Sequence, residues 1–477
     1  MPKQKLAARM EDHALERVPD EERKNWLAIS WNTTGLVTSI AILFFGALVC
    51  FVAGVKIALL AGITSFVVGS GIGWAIAAVA YETGCSNTLI TRQHGLGVRG
   101  SALASVIFGF LIIGFLAIEN ALLYKGCLFF FGLNDNWHNK LIIYGGLTTV
   151  WIFLTAFGFN LVARFSSIMI IAFLIVMVYM LWIVVGQSGK SASDSLVFAS
   201  QLPPDTLASM GILSDTDKYI FSLNILLGPA CAIALNTADF GRYGKSVADV
   251  GAAASIGVFF QSILVALLGG VLMFAGSAAM VDHYVAVEGM TQLQAHQEVL
   301  KNSDSIAATF IVFGGVIGFV LMMVAQAKAQ VLNTYSSSLC VANLADALFK
   351  WRPGRIYFVV IANVIALLML YGQILELVEA WIKLAGVLLS SLASVIIADY
   401  YIVAPRLRRR HGAHSELIDV NWAGILSIGF AVYCAHYLLR PYQPIEVFTS
   451  IAVTIVCYTV LRLTMSSRST TRSHKAA

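Results

Sequence analysis

Phe115 and Glu119 stand one helical turn apart inside an apolar run and therefore share a face. A carboxylate in a lipid-facing helix costs roughly 2.5 kcal/mol or more. Glu119 is thus expected to face a cavity or a partner, where it accepts hydrogen bonds while Phe115 offers a flat ring. A second run carries Gln326, Lys328, Gln330 and Asn333, and Lys328 bears a comparable cost. Two readings stand for this lysine. It is buried against a partner, or it snorkels from the end of a shorter span 305–327 followed by an amphipathic segment; the apolar character of residues 331–344 favours burial.

A third run begins with Thr33, Thr34, Gly35, Thr38 and Ser39, and a fourth holds Gly228 and Pro229 near its middle. Proline removes a backbone donor and glycine tolerates unwinding. Interrupted helices survive in lipid only where the freed backbone groups find protein, water or ligand. Two such interruptions five spans apart form the pattern of inverted-repeat transporters. The plainer alternative is a kink at Pro229 and small-residue packing at Gly35.

These residues need membrane helices to position them. The 477-residue chain is 58% hydrophobic and 12% charged, against roughly 25% charged in a soluble domain. Apolar runs near 27–53, 57–81, 100–124, 140–158, 165–187, 218–237, 249–280, 305–345, 356–372, 377–401, 420–438 and 445–465 predict twelve transmembrane helices in an all-α integral membrane protein. The segments divide into an inner N-terminal stretch 1–26, five helices over 27–187, an external loop 188–217, five helices over 218–401, two more over 402–465, and a tail 466–477.

With the N-terminus inside, most of the 31 Lys and Arg fall in inner segments, including the cluster Arg406, Arg408, Arg409 and Arg410. That asymmetry puts both termini of a multi-pass inner-membrane protein in the cytoplasm. The net charge of +5 then reports topology, and no nucleic-acid partner is expected. Glu82 to Gly100, with Gly95 and Gly97, reads as an inner connection able to turn tightly. Residues 1–26 lack an apolar h-region, so no cleavable signal peptide is expected.

The seven cysteines form no CxxC or Cys/His cluster, so no disulfide, metal or other cofactor is expected. An intramembrane enzyme would need a nucleophile and base, or a His and carboxylate metal set, within the spans. His436 is the only clear intramembrane histidine. A sensor would need an attached signalling domain, for which the segments leave no room. The composition predicts a transporter, with the lipid bilayer and a small-molecule substrate as its partners.

Several local motifs resemble a known family. After span six the chain reads Thr237, Ala238, Asp239, Phe240, Gly241, Arg242, Tyr243, Gly244; span ten ends Ile396, Ile397, Ala398, Asp399, Tyr400; span eleven opens Val420, Asn421, Trp422. With the Gly95 to Gly100 loop and the Thr34–Gly35 pair, these resemble the cytosine and purine permeases of the nucleobase cation symporter family, which includes hydantoin and allantoin transporters. The resemblance covers residues from about 17 to 465. It implies the leucine-transporter-type fold: a 5+5 inverted repeat with two C-terminal helices. It also implies a substrate site between spans one, three, six and eight. Carried over by position, that site comprises Thr34, Gly35 and Thr38; Phe115 and Glu119; Gly228, Pro229, Ala230 and Cys231; and Gln326 or Gln330.

Two departures from the family bear on substrate and coupling. The family's usual tryptophan in span three is Phe115 here, and its neutral amide is Glu119. A carboxylate can accept side by side from an amino group and an adjacent ring N–H, or it can pair with a cationic amine. The resemblance further implies a cation coupled to transport, a proton or a sodium ion. Lys328 stands near the span-eight position that ligates sodium in sodium-coupled members. Lys328 is therefore expected either to take the cation's place, bridging spans one and eight with a protonation that follows the transport cycle, or to act with Glu119 in proton coupling.

Overall fold

The computed structural model describes residues 13–156, 159–187, 191–301, 304–372, 374, 377–411 and 418–473. The charged stretch 1–12, the start of the external loop at 188–190 and the end of the tail at 474–477 lie outside the described residues. In chain order the helices are α1 Trp26–Val37, α2 Ile40–Ala53, α3 Val55–Thr83, α4 Asn87–Gln93, α5 Ser101–Phe131, α6 Trp137–Ala156, α7 Phe159–Gln187, α8 Ala192–Leu196, α9 Pro204–Ser209 and α10 Asp215–Gly241. They continue as α11 Val247–Phe259, α12 Ala266–Glu288, α13 Gln292–Lys301, α14 Asp304–Phe349, α15 Arg355–Tyr371, α16 Val378–Ala398, α17 Ala404–His411, α18 Trp422–Tyr433 and α19 Glu446–Ser473. Three π-helical stretches, Phe260–Val265, Asp399–Val403 and Cys434–Leu438, join α11 to α12, α16 to α17 and extend α18. Among the described residues there is no strand beyond a single bridge between Lys24 and Gly244.

Each expected span meets a helix. Among the described residues eight helices are long and apolar enough to cross a membrane, and α1 with α2, bent by 62°, makes a ninth. α15 and Trp422–Leu438 are apolar but shorter. Lipid exposure is legible on α7, where Ile175, Val178 and Trp182 lie exposed along one stripe. α5 and α10, by contrast, are buried almost throughout. α14 departs from helical geometry at Gly315 (φ 50°, ψ −128°), a conformation open to glycine, and kinks there.

The two expected interruptions turn out differently. Span one does break, but at Thr38 and Ser39, whose ψ values of 57° and 162° leave the helix. Gly35 sits three residues earlier inside regular helix. Span six does not break: α10 runs unbroken through Pro229. The proline leaves the Ile225 carbonyl without its usual N–H. The next carbonyl, Leu226, is held from outside the helix by Ser65 Oγ at 3.2 Å and Gln261 Nε2 at 3.5 Å. Gly228 serves a close approach instead of unwinding. A Cβ there would lie 2.8 Å from the Ile382 carbonyl, and one on Gly386 would lie 2.9 Å from Gly228 Cα, so α10 and α16 meet backbone to backbone.

At the end of the bundle expected to face the cytoplasm, the short α4 meets three helices of the second half. Asn87 gives its backbone N–H to Asp239 Oδ1 (2.9 Å) and Nδ2 to Asp239 Oδ2 (3.3 Å) on α10. Arg92 NH1 lies 2.7 Å from Asp346 Oδ2 on α14. His94 Nδ1 lies 3.0 Å from Asp399 Oδ2 after α16. All three carboxylates are buried.

Gly386→Leu is expected to lower the thermal unfolding midpoint of the detergent-solubilised protein, because overpacking costs about 1–3 kcal/mol. Gly429→Leu, where a side chain meets nothing within 4 Å, should leave it unchanged. Equal midpoints for the two variants would refute the close α10–α16 contact.

Candidate functional site

The break in span one exposes backbone groups in the middle of the bundle, and α14 answers them. Lys328 is fully buried and its Nζ donates to the Thr38 carbonyl at the C-terminal end of α1, with the Ala325 carbonyl 3.3 Å away. A donor there answers a carbonyl that the break leaves free. The Lys328 Nζ also lies 4.3 Å from the centre of the Phe173 ring on α7. On the other side of the break, Gln326 Oε1 accepts the Ile40 N–H at the start of α2 (3.2 Å), and its Nε2 reaches the Glu119 carbonyl (3.4 Å).

Beside the break lies a small cavity, lined by Leu36, Val37 and Ile42 of the broken span, Ile112, Phe115 and Glu119 of α5, Pro229, Ala232, Ile233 and Asn236 of α10, and Asn333 of α14. Its polar groups are one carboxylate and two carboxamides. Asn333 Nδ2 donates to Glu119 Oε2 at 3.1 Å. Ser336 Oγ donates to Asn236 Oδ1 at 2.8 Å. The Phe115 ring is fixed by edge contacts with Trp381 (5.1 Å, 80°) and Phe45 (6.3 Å, 90°). The arrangement sets the face of the Phe115 ring beside hydrogen-bonding groups. Among the described residues no group of three His, Cys, Asp or Glu could hold a metal ion.

Residues 17–421 match the family described as permease for cytosine/purines, uracil, thiamine, allantoin. The chain belongs to this family. It is a transporter and not an enzyme. Cytosine permease of Escherichia coli K12 is 24% identical over 433 residues, covering 88% of each chain. Among solved structures, Mhp1 in an inward-facing conformation is 15% identical over 94% of the permease and 93% of that chain, with a TM-score of 0.68. Mhp1, a nucleobase-cation-symport-1 family transporter, in a closed conformation with bromovinylhydantoin bound, is 15% identical over 95% and 96%, with a TM-score of 0.66. MhsT in complex with L-phenylalanine is 14% identical over 92% and 99%, with a TM-score of 0.57. At these identities the likeness carries the fold, which is the leucine-transporter type.

Of the residues the sequence singled out, the permease brings Phe115, Glu119, Pro229 and Asn333 to the cavity wall. The others are not among its lining residues. Thr34 gives its carbonyl to the Thr38 N–H and hydroxyl, closing the last turn of α1, and Gly35 is buried in that helix. Gly228 faces α16 and Ala230 faces Gly69 of α3; Cys231 is fully buried away from the lining. Gln326 and Gln330, expected as substrate amides, are not among the lining residues of this cavity. Gln326 spans the break, while Gln330 Nε2 donates to the Leu116 carbonyl (3.0 Å) and to Asn120 Oδ1 (2.8 Å), tying α14 to α5.

The cavity amides are Asn333 and Asn236 instead. Asn333 was visible as the next step, 326, 330, 333, along one face of span eight. Asn236 was missed because the expected break at Gly228 directed attention to 228–231. In an unbroken helix the facing set is 229, 232, 233 and 236, and that is the face found.

Gln326→Leu, which keeps bulk but removes both polar ends, is expected to cost about 1–3 kcal/mol by leaving the Ile40 N–H unanswered. The check is thermal unfolding of the purified variant. An unchanged midpoint would show that the start of α2 does not depend on this side chain.

Proposed function

We propose that this permease imports a nucleobase, cytosine or purine in type, or a related N-heterocycle, by alternating access across the inner membrane, with both termini cytoplasmic. The observation that carries the reading is Glu119 and Phe115 on one wall of a small cavity, with Asn333 holding one carboxylate oxygen. A flat ring stacks on Phe115 and presents an amino group and ring N–H to the carboxylate. The names of the relatives, cytosine permease and a transporter with a hydantoin bound, support the same class. Glu119→Gln keeps the shape and removes the charge, and Phe115→Ala removes the stacking face. Each is expected to weaken binding of the transported base about tenfold or more while the protein still folds. Wild-type affinity in both variants would defeat the assignment.

Coupling does not require sodium in this reading; protons or the substrate gradient drive uptake. The Lys328 ammonium donates to the Thr38 carbonyl, a group of the kind that would otherwise ligate a cation between spans one and eight. Two cations about 4 Å apart repel by about 4 kcal/mol at an effective dielectric of 20, which lowers sodium affinity roughly a thousandfold. Uptake into proteoliposomes with sodium replaced by choline, at several external pH values, is expected to persist. Strong sodium dependence in the unmodified protein would defeat the proposal, and sodium dependence appearing only in Lys328→Thr would support it.

A further inference from the structure

The cavity wall carries a buried donor that nothing in the protein uses. Asn236 is 1% exposed, lines the cavity two helical turns beyond Pro229, and its Nδ2 has no hydrogen-bond partner. Its orientation is held from behind, because Ser336 Oγ donates to Oδ1 at 2.8 Å and so commits the carbonyl end of the amide to α14. The donor end is left without a protein partner on a residue that lines the cavity together with Glu119. Buried donors are almost always satisfied, so an unsatisfied one on a cavity wall marks where a ligand acceptor belongs.

We propose that Asn236 is a specificity-determining residue that donates to a carbonyl oxygen or an unprotonated ring nitrogen of the substrate. This rests on the reading of the cavity as an N-heterocycle site and narrows it. Glu119 demands donors from the solute and Asn236 demands an acceptor, so the substrate carries both on different edges of one small ring system. Cytosine, adenine and guanine meet that requirement. An alkylammonium satisfies Glu119 but has no acceptor, and would leave the Asn236 amide as unpaired as it is in the empty cavity. An aminoheterocycle stripped of one acceptor atom would be penalised in the same way. The penalty for leaving a buried polar group unpaired corresponds to about tenfold or more in affinity.

The test uses the full-length purified permease and matched ligands in which one acceptor is removed or weakened: cytosine against 2-thiocytosine and 3-deazacytosine, guanine against 3-deazaguanine and 7-deazaguanine, and adenine against its 1-, 3- and 7-deaza analogues. Equilibrium dissociation constants are compared for the unmodified protein, Asn236→Leu and Asn236→Ala, the second substitution guarding against misfolding of the first. For whichever parent base binds, one acceptor deletion is expected to cost the unmodified protein about tenfold or more. In the variants that one penalty should fall below about twofold while penalties for the other deletions stay as they were. A general loss of structure would not erase one penalty selectively. Ser336→Ala is expected to weaken the parent base severalfold by freeing the amide to turn, and an unchanged affinity would overturn the role given to Ser336. If a parent base binds and every penalty survives in both Asn236 variants, the proposal is overturned while the N-heterocycle reading stands. If no base binds the unmodified protein, both fall together.

Discussion

An interrupted helix in a low-dielectric interior must have its freed carbonyls and N–H groups answered by other parts of the protein. In this permease the break at Thr38 and Ser39 is answered from α14, by Lys328 on the carbonyl side and Gln326 on the N–H side. Much else in the bundle follows from that. The two contacts tie the first and second halves of the chain together at their centre. Gln326 also reaches the Glu119 carbonyl, which brings α5 to the same place. The cavity is the space that remains where α1, α5, α10 and α14 converge on the break, and its walls are polar only where these helices bring Glu119, Asn236 and Asn333.

The charges inside the bundle are as constrained as the backbone. A lone ammonium or carboxylate facing lipid at this depth would be costly, and the permease encloses both Lys328 and Glu119 in protein. Neither faces lipid. Lys328 is enclosed by the Thr38 carbonyl and the Phe173 ring, and Glu119 by the cavity and Asn333. The donor at the end of α1 is thus supplied by the chain itself, and Glu119 forms part of the cavity wall.

Much of this was legible in the sequence, because lipid makes polar residues conspicuous. Glu119, Lys328 and the amides near them stand out in apolar runs, and the local motifs around Asp239, Asp399 and Asn421 carry the family. The sequence was less informative about which way an amide points. Gln326 and Gln330 are of the right type for a substrate site, but in the fold Gln326 and the Gln330 Nε2 are bonded between helices. Composition cannot separate a structural amide from a recognising one; only the rotation of α14 against α5 does. Gly228 and Pro229 misled for a related reason. Both residue types permit unwinding, yet the Leu226 carbonyl has side-chain partners on two neighbouring helical segments and Gly228 is needed for close packing on α16. The intact helix then carries its cavity face at 229, 232, 233 and 236.

The contacts of α4 have a mechanical meaning. Seven residues of helix measure about 10 Å, a stiff strut, and its side chains and that of the following His94 touch three separate helices at Asp239, Asp346 and Asp399. Three points define a plane. A body held at three points has its tilt determined, so the strut fixes how α10, α14 and the segment after α16 stand relative to one another at this end of the bundle. The three fasteners differ in kind: a neutral amide, a guanidinium and an imidazole.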